Sequence, residues 1–342
     1  MIILGIETSC DETAAAIVEA KRPPTRRARA GGRFIIRSNV VSSQIAIHRP
    51  YGGVVPELAA RDHIKHIIPV ISRALAAAKV APRRIDRIAV TTGPGLITSL
   101  LVGSQTAKTL AYLWHKPIVS VNHLRAHLYA AWLGERPVRF PALGLIVSGG
   151  HTELILLHDS RRFKKIGQTI DDAAGEAFDK VAALLGLSYP GGPAVAASAK
   201  QGDAAAFTFP RPMMKSPDFN FSFAGLKTAV LYQAKKLKKI DRQLSADLCA
   251  SFQQAVVDVL VSKTVAAAKR FKVKTVILSG GVAANRLLRS QMGGATRGAG
   301  IAFVVPDFKF CTDNAVMIAV AGFFGKPTPW QKVEVDPNWE IG

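Results

Sequence analysis

Apolar residues along this chain come in short runs separated by polar, glycine-rich turns. Ile2-Ile3-Leu4-Gly5-Ile6 reads as a buried strand, Glu7 to Thr13 as a polar turn, and Ala14-Ala15-Ala16-Ile17-Val18 as a return strand. Short continuous apolar runs bounded by turn residues are the pattern of strands covered on both faces. A turn from Tyr51 to Pro56 precedes a long helix from about Glu57 to Lys79. Ile88 to Gly95 is the next strand and glycine turn, followed by an apolar helix from Leu100 to Trp114. Pro117 to Val121 is a strand leading into a helix in which Leu124, Leu128 and Ala131 recur on one side. The design starts again near Pro141. Leu143 to Val147 is a strand, Ser148-Gly149-Gly150-His151-Thr152 a glycine-rich turn, and Glu153 to Leu157 the return strand. Thr275 to Asn285 repeats the strand, turn and helix start seen from Val90 to Leu100. Two hairpin-plus-α/β halves predict an internally duplicated α/β fold with a nucleotide cleft between the halves.

Candidate chemistry gathers on the polar interruptions. His123 and His127 stand four residues apart on one helix face, so both imidazoles can reach one metal ion. A divalent ion also wants a carboxylate or a third nitrogen, and the best candidate is distant: Asp313, in Phe310-Cys311-Thr312-Asp313-Asn314. Glu7, Asp11 and Glu12 crowd the first turn, an unusual density of like charge unless something positive sits among them. Asp171, Asp172, Glu176 and Asp179 enter a helix ending near Leu187, ahead of the rigid turn Tyr189 to Pro193. They suit ribose hydroxyls or a bound cation; capping of the helix start explains Asp171 and Asp172 well and Asp179 less well. His63 and His66 read as structural, because no acidic partner is apparent nearby.

Composition narrows the class. Hydrophobic residues make up 49% of the 342, enough for a sizeable core and incompatible with a disordered chain. Lys and Arg number 45 against 24 for Asp and Glu, a net charge of +21 that favours polyanionic partners, nucleic acid first. A basic stretch, 21–37, holds seven of these cations without one acid and reads as an exposed loop or hairpin extension. Three cysteines with no C-x-x-C pair fit a reducing compartment. The N-terminus has no basic n-region, and Ala315 to Phe324 is too short to span a bilayer, so the expectation is a cytoplasmic protein without a membrane partner.

Ten segments in sequence order, among them GIETSCDETAAAIV, YGGVVPELAARDH, TTGPGL, NHLRAH, VSGGHTEL, DDAAGEAFDKVA, SGGVAAN and CTDNAVMIA, closely resemble the TsaD family. The resemblance implies an actin-like ATPase fold of two RNase H-like lobes: 1–125 as the first, with the basic insertion 21–37, and 126–342 as the second, its C-terminal helix returning to the first. It implies transfer of a threonylcarbamoyl group from threonylcarbamoyl-adenylate to N6 of the adenosine next to the anticodon, in tRNAs reading codons that begin with adenine. His123, His127 and Asp313 would be the metal ligands, with iron expected ahead of zinc. Val147, Ser148, Gly149, Gly150, His151, Asp179, Gly192 and Asn285 would contact the adenine nucleotide, and Asp11 and Glu12 would be the catalytic carboxylates. The implied partners are tRNA, TsaB, TsaE and a TsaC-type enzyme supplying the adenylate. The chain departs from the family at Arg125-Ala126, Thr98, Asn220 and Ala196, the last standing where many relatives place an acid. Two alternatives remain: a metallopeptidase, which would want a Glu where Leu124 follows the first histidine, and a small-molecule kinase of the same fold, which would not need the two histidines.

Overall fold

The computed structural model describes residues 1–21, 33–237 and 239–341. The chain divides into two compact units, Met1–Val138 with Pro306–Gly342, and Arg139–Val305. In the first unit β1 (Ile2–Glu7) pairs antiparallel with β2 (Glu12–Lys21), which pairs antiparallel with β3 (Arg33–Ser43). A one-turn helix α1 (Ile45–His48) and the long α2 (Pro56–Ala78) follow. Next, β4 (Arg87–Gly93) lies parallel to β1. After α3 (Ile97–Trp114), β5 (Ile118–Asn122) lies parallel to β4 and runs straight into α4 (His123–Tyr129). The strand order is β3-β2-β1-β4-β5.

The sheet face under α2 and α3 carries the core: Leu4, Ile6, Ile17, Ile88 and Val90 pack with Ile67, Val70, Ile71, Ala107 and Ala111. Burying an Ile, Leu or Val contributes about 1.5–3 kcal/mol. That outweighs the few tenths of a kcal/mol by which each β-branched residue disfavours helix, so Ile67, Val70 and Ile71 stay helical. Pro56 at the first turn starts α2, and Lys79 in the left-handed region ends it.

The second unit repeats the pattern. β6 (Ala142–Val147), β7 (Thr152–Leu157) and β8 (Phe163–Gln168) form an antiparallel meander. Four helices follow: α5 (Ala174–Leu184), α6 (Gly191–Ser198), α7 (Ala224–Lys236) and α8 (Arg242–Arg270). Then β9 (Thr275–Ser279) joins β6 in parallel, and after α9 (Arg286–Gly298), β10 (Ala302–Val304) joins β9. The order β10-β9-β6-β7-β8 mirrors the first sheet strand for strand. This is the duplicated α/β architecture expected from the sequence. By length and composition α8 could cross a membrane, but two-thirds of its apolar window is buried within the unit, where it is a core helix.

The chain then returns to the first unit as α10 (Ala315–Phe324), buried from Ala315 to Gly322. It packs so closely on β1 that a Cβ on Gly5 would overlap the Ala315 carbonyl oxygen. Two expectations need correction. The boundary after residue 125 falls inside α4, the first unit runs on to Val138, and the stretch from Pro306 belongs to that unit as well. Where the basic stretch is described it follows the hairpin-extension reading: Lys21 ends β2 and Arg33–Arg37 opens β3, where Arg37 pairs across the ladder with Glu19. Its remaining part, 22–32, lies outside the described residues. The helix expected from Leu100 begins at Ile97.

Candidate metal centre and nucleotide turn

β5 delivers α4 with no intervening loop, and Asn122 caps the helix by accepting from the Arg125 amide at 3.0 Å. That cap fixes the direction of the first turn, so His123 and His127 project on one side. Both are buried. Their Nε2 atoms are 3.2 Å apart, and Asp313 Oδ1 lies 3.1 Å from His127 Nε2 and 3.5 Å from His123 Nε2. Three atoms bound at about 2.0–2.2 Å to one ion in tetrahedral or octahedral array stand about 3.0–3.5 Å apart. The triangle therefore fits a single divalent ion, and three lone-pair atoms facing one point need a cation or shared protons.

Behind His123 stands a residue whose place in the first turn is plain from the sequence but whose role is not. Glu7, the last residue of β1, is wholly buried. Its carboxylate accepts from the Ser9 amide (2.5 Å), the Thr91 hydroxyl (2.8 Å) and His123 Nδ1 (3.0 Å). A carboxylate only accepts, so His123 carries a proton on Nδ1, and its Nε2, once it sheds its own proton, can turn a lone pair to the triangle. Burial alone would lower the proton affinity of His123; the charges of Asp313 and Glu7 outweigh it and hold the imidazolium up to about 9. His127 lacks such a support among the described residues, its Nδ1 being buried without a hydrogen bond. The signal for Glu7 was available: an acid closing a wholly apolar strand.

Asp11 and Glu12 converge on the same aspartate. One carboxylate oxygen from each of Asp11, Glu12 and Asp313 lies within 4.8 Å of the others. Burial, reinforced by Asp11 and Asp313, pushes the Glu12 carboxyl well above the usual carboxylate range, against a weak 3.4 Å hydrogen bond from Ser43. The turn bearing them is held from two sides. The Ser9 carbonyl accepts from the Leu96 amide at 2.8 Å. His63 Nε2 donates to the Cys10 carbonyl at 2.9 Å, while the Thr13 hydroxyl donates to His63 Nδ1 at 2.8 Å. His63 and His66 thus lie outside the triangle, as expected, although for a different reason: Asp62 stands 3.0 Å from His66 Nδ1, the acidic partner the sequence did not disclose.

In the second unit Val147 ends β6, and Ser148 to His151 form a tight turn. The Ser148 amide donates to the His151 carbonyl (2.8 Å) and the His151 amide to the Ser148 hydroxyl (3.1 Å). Gly149, Gly150 and Gly192 face open space. Gly280 presses on the other side: its φ is +89°, and a Cβ there would overlap the Val147 carbonyl oxygen, so only glycine suits the end of β9. Asp179 is not a helix cap; its Oδ1 accepts from the Gly191 amide at 2.7 Å and so anchors the turn before α6. Asn285 caps α9 through the Leu288 amide and donates to Gln253, which occupies both ends of its side chain.

Comparisons with known proteins follow the same outline. A family model described as tRNA N6-adenosine threonylcarbamoyltransferase matches residues 35–320. Proteins of that name from Anaeromyxobacter dehalogenans (strain 2CP-C) and Thermosipho melanesiensis are 53% and 50% identical to this chain. The first alignment covers 99% of both chains and the second 94% of both. Among solved structures, HypF from T. kodakarensis superposes with a TM-score of 0.62 at 15% identity, over 94% of this chain and 47% of that one; a phosphate- and nucleotide-bound full-length HypF gives 0.60 at the same identity, over 94% and 46%. These likenesses show a shared fold, in keeping with the actin-like ATPase fold that the family resemblance implies. With a family model spanning most of its length and relatives half identical from end to end, the chain belongs to the TsaD family of tRNA N6-adenosine threonylcarbamoyltransferases.

Proposed function

We propose that this chain transfers the threonylcarbamoyl group from threonylcarbamoyl-AMP to N6 of the adenosine next to the anticodon, in tRNAs reading codons that begin with adenine. The observation that carries the reading is the convergence of Asp11 and Glu12 on Asp313, beside the His123–His127 pair. Carboxylates beside a histidine–aspartate triad suit an acyl-type transfer with no serine or cysteine nucleophile. The exocyclic amine attacks the carbamoyl carbon, the bond from that carbon to the phosphate oxygen breaks, and AMP leaves with the electron pair. Glu12, whose surroundings raise its proton affinity, takes the amine proton, and Asp11 keeps that proton affinity high. His123, His127 and Asp313 would hold the ion, and Glu7 fixes the His123 tautomer. A bound ion supplies Lewis acidity toward the carbonyl and offsets charge on the leaving phosphate. Iron is proposed ahead of zinc because the family resemblance implies it; two imidazoles and one carboxylate suit either ion.

In the second unit the turn Val147, Ser148, Gly149, Gly150 and His151 holds the adenylate against the open backbone of Gly149 and Gly150, with Gly192 open beside the turn anchored by Asp179, and Asn285 at the α9 N-terminus. The proposed partners are TsaB and TsaE, with a TsaC-type enzyme supplying the adenylate, in the cytoplasm. Leu124, buried where a peptidase would carry its general base, speaks against peptide hydrolysis. The test is mass spectrometry of tRNA nucleosides after incubating the protein with adenylate, partners and an ANN-decoding tRNA. Threonylcarbamoyladenosine and AMP in equal amounts are expected; peptide cleavage without that product would overturn the reading.

A further inference from the structure

Helix α7 is bound to its unit by few side chains. Leu226 and Val230 are fully buried, and the exposed residues Gly225, Thr228, Tyr232, Lys235 and Lys236 form a stripe along the opposite side. Their spacing of three and four residues keeps them on one face. Tyr232 is 61% exposed, so most of its ring faces solvent. Toward the C-terminal end the stripe becomes basic, with Lys235 and Lys236 followed by exposed Lys239 and Arg242, while Asp241 caps α8 through the Leu244 amide. Ion pairs among the described residues of this unit engage Arg162, Lys165, Lys180, Arg211 and Lys263, and none of these four cations. The N-terminal end is anchored instead. Asp171 accepts from the amides of Phe223 and Ala224 and from the Ser222 hydroxyl. The same segment continues to Gly175, whose amide donates to the Ser148 carbonyl of the nucleotide turn at 3.1 Å.

We infer that the outer face of α7 is an RNA-docking surface on which an unpaired base of the tRNA stacks against Tyr232 while Lys235, Lys236 and Lys239 take neighbouring phosphates. The inference rests on the transfer reading for the identity of the polyanion. An exposed aromatic ring beside unpaired lysines recognises unpaired nucleotides, because every base has a face to stack and every nucleotide a phosphate. Small residues at the anchored end, Gly225 and Thr228, leave room for a strand to lie against the helix. At about 1.5 Å per residue, Tyr232 stands about 12 Å along the axis from Ala224, whose amide is held by Asp171.

The test measures affinity of the full chain for an in-vitro-transcribed ANN-decoding tRNA over a range of salt concentrations, with melting temperature as the control for folding. Tyr232→Ala should weaken binding roughly 5- to 150-fold, the usual effect of removing one base-stacking ring. Tyr232→Phe should keep most of the affinity, because it keeps the ring. Lys235→Gln combined with Lys236→Gln should flatten the salt dependence by about 0.7 for each phosphate no longer neutralised. Unchanged affinity and slope in these variants would overturn the inference. So would equal losses in Tyr232→Phe and Tyr232→Ala, or loss of binding to anionic phospholipid vesicles with tRNA affinity intact. If the parent chain binds tRNA through Tyr232 yet forms no modified nucleoside, the transfer reading fails and this surface stands.

Discussion

Replacing Glu7 by Gln changes one oxygen to an amide nitrogen in a wholly buried position, and the hydrogen bonds around it fix the consequence. Glu7 receives three donors: the Ser9 amide on Oε1, and the Thr91 hydroxyl and His123 Nδ1–H on Oε2. Glutamine has one carbonyl oxygen. If that oxygen stays with Ser9, the new NH2 faces Thr91 and His123, and the imidazole escapes the donor–donor clash by moving its proton to Nε2, toward the metal ligands. If the oxygen turns to His123, the NH2 faces the Ser9 amide, and a buried donor is left unsatisfied at about 1–3 kcal/mol. Either way the charge that supports His123 is gone. Loss of a carboxylate behind a ligating histidine weakens metal affinity roughly 10- to 100-fold, about 1.4–2.7 kcal/mol, and the double conflict puts Glu7→Gln toward the upper end. The assay is a competitive metal titration of chelator-stripped protein. Its pH dependence carries a second check. The metal-free His123 imidazolium persists to about 9, so an ion entering below that pH displaces a proton, and parent affinity should rise as pH rises toward about 9. In Glu7→Gln the imidazolium loses a stabilising charge and the rise should be shallower. Affinity within about threefold of the parent, with the same pH slope, would refute this assignment of Glu7.

His127→Ala should abolish stoichiometric metal, and His123→Ala or Asp313→Ala on top of it should add little, since all three remove one site; elemental analysis of the purified variants decides, with His63→Gln retaining its metal as the contrast. Burial lowers the proton affinity of His63 below its usual 6.5, so the unfolded chain binds the proton first as pH falls. The stabilising contribution is complete above about pH 6.5 and is lost as pH falls through the folded-state value; urea melts at pH 7 and pH 5 should show a smaller difference in His63→Gln than in the parent. Gly280→Ala demands a left-handed backbone and sets a methyl against the Val147 carbonyl, so it should destabilise by about 2 kcal/mol or more, and a denaturation midpoint equal to the parent's would show that β9 and β6 can part there.

Strands and turns of both halves could be read from the sequence because their signal is local: apolar runs against glycine and polar residues, as at Ile2–Ile6 and Leu143–Val147. The start of β3 stays open between loop and hairpin extension in the sequence because Arg33 and Arg37 are charged, and an edge strand with one partner tolerates such residues where a central strand does not. The unit boundary leaves no local mark either. Nothing in the composition near 125 changes, α4 runs through that point to Tyr129, and the turn Ala130–Leu133, buried as far as Trp132, follows it. Of the metal triad, the histidine pair was a local pattern, whereas Asp313 had to be matched at a distance that no periodicity reports. Glu7 and His63 stood out in the sequence, but their roles did not, because these are set by neighbours on other elements, Thr91 on β4, His123 on α4 and the Cys10 carbonyl. The turn from Ser148 to His151 was legible as a glycine pattern, but the use of Asn285 as a cap bonded to Gln253 was not.

The return of the chain after Pro306 has a consequence for how the protein is made. A ribosome delivers His123 and His127 long before Asp313, which follows His127 by 186 positions. Until then β1 lacks the helix that packs on Gly5, and the two imidazoles lack their carboxylate. Closing a loop of that length costs about 4–5 kcal/mol of chain entropy, so the histidines have little reason to hold an ion before the second unit has folded and brought the tail back. Any ion the triangle takes would then be loaded late in biogenesis. A chain cut short before residue 313 would emerge with the two imidazoles and without their carboxylate.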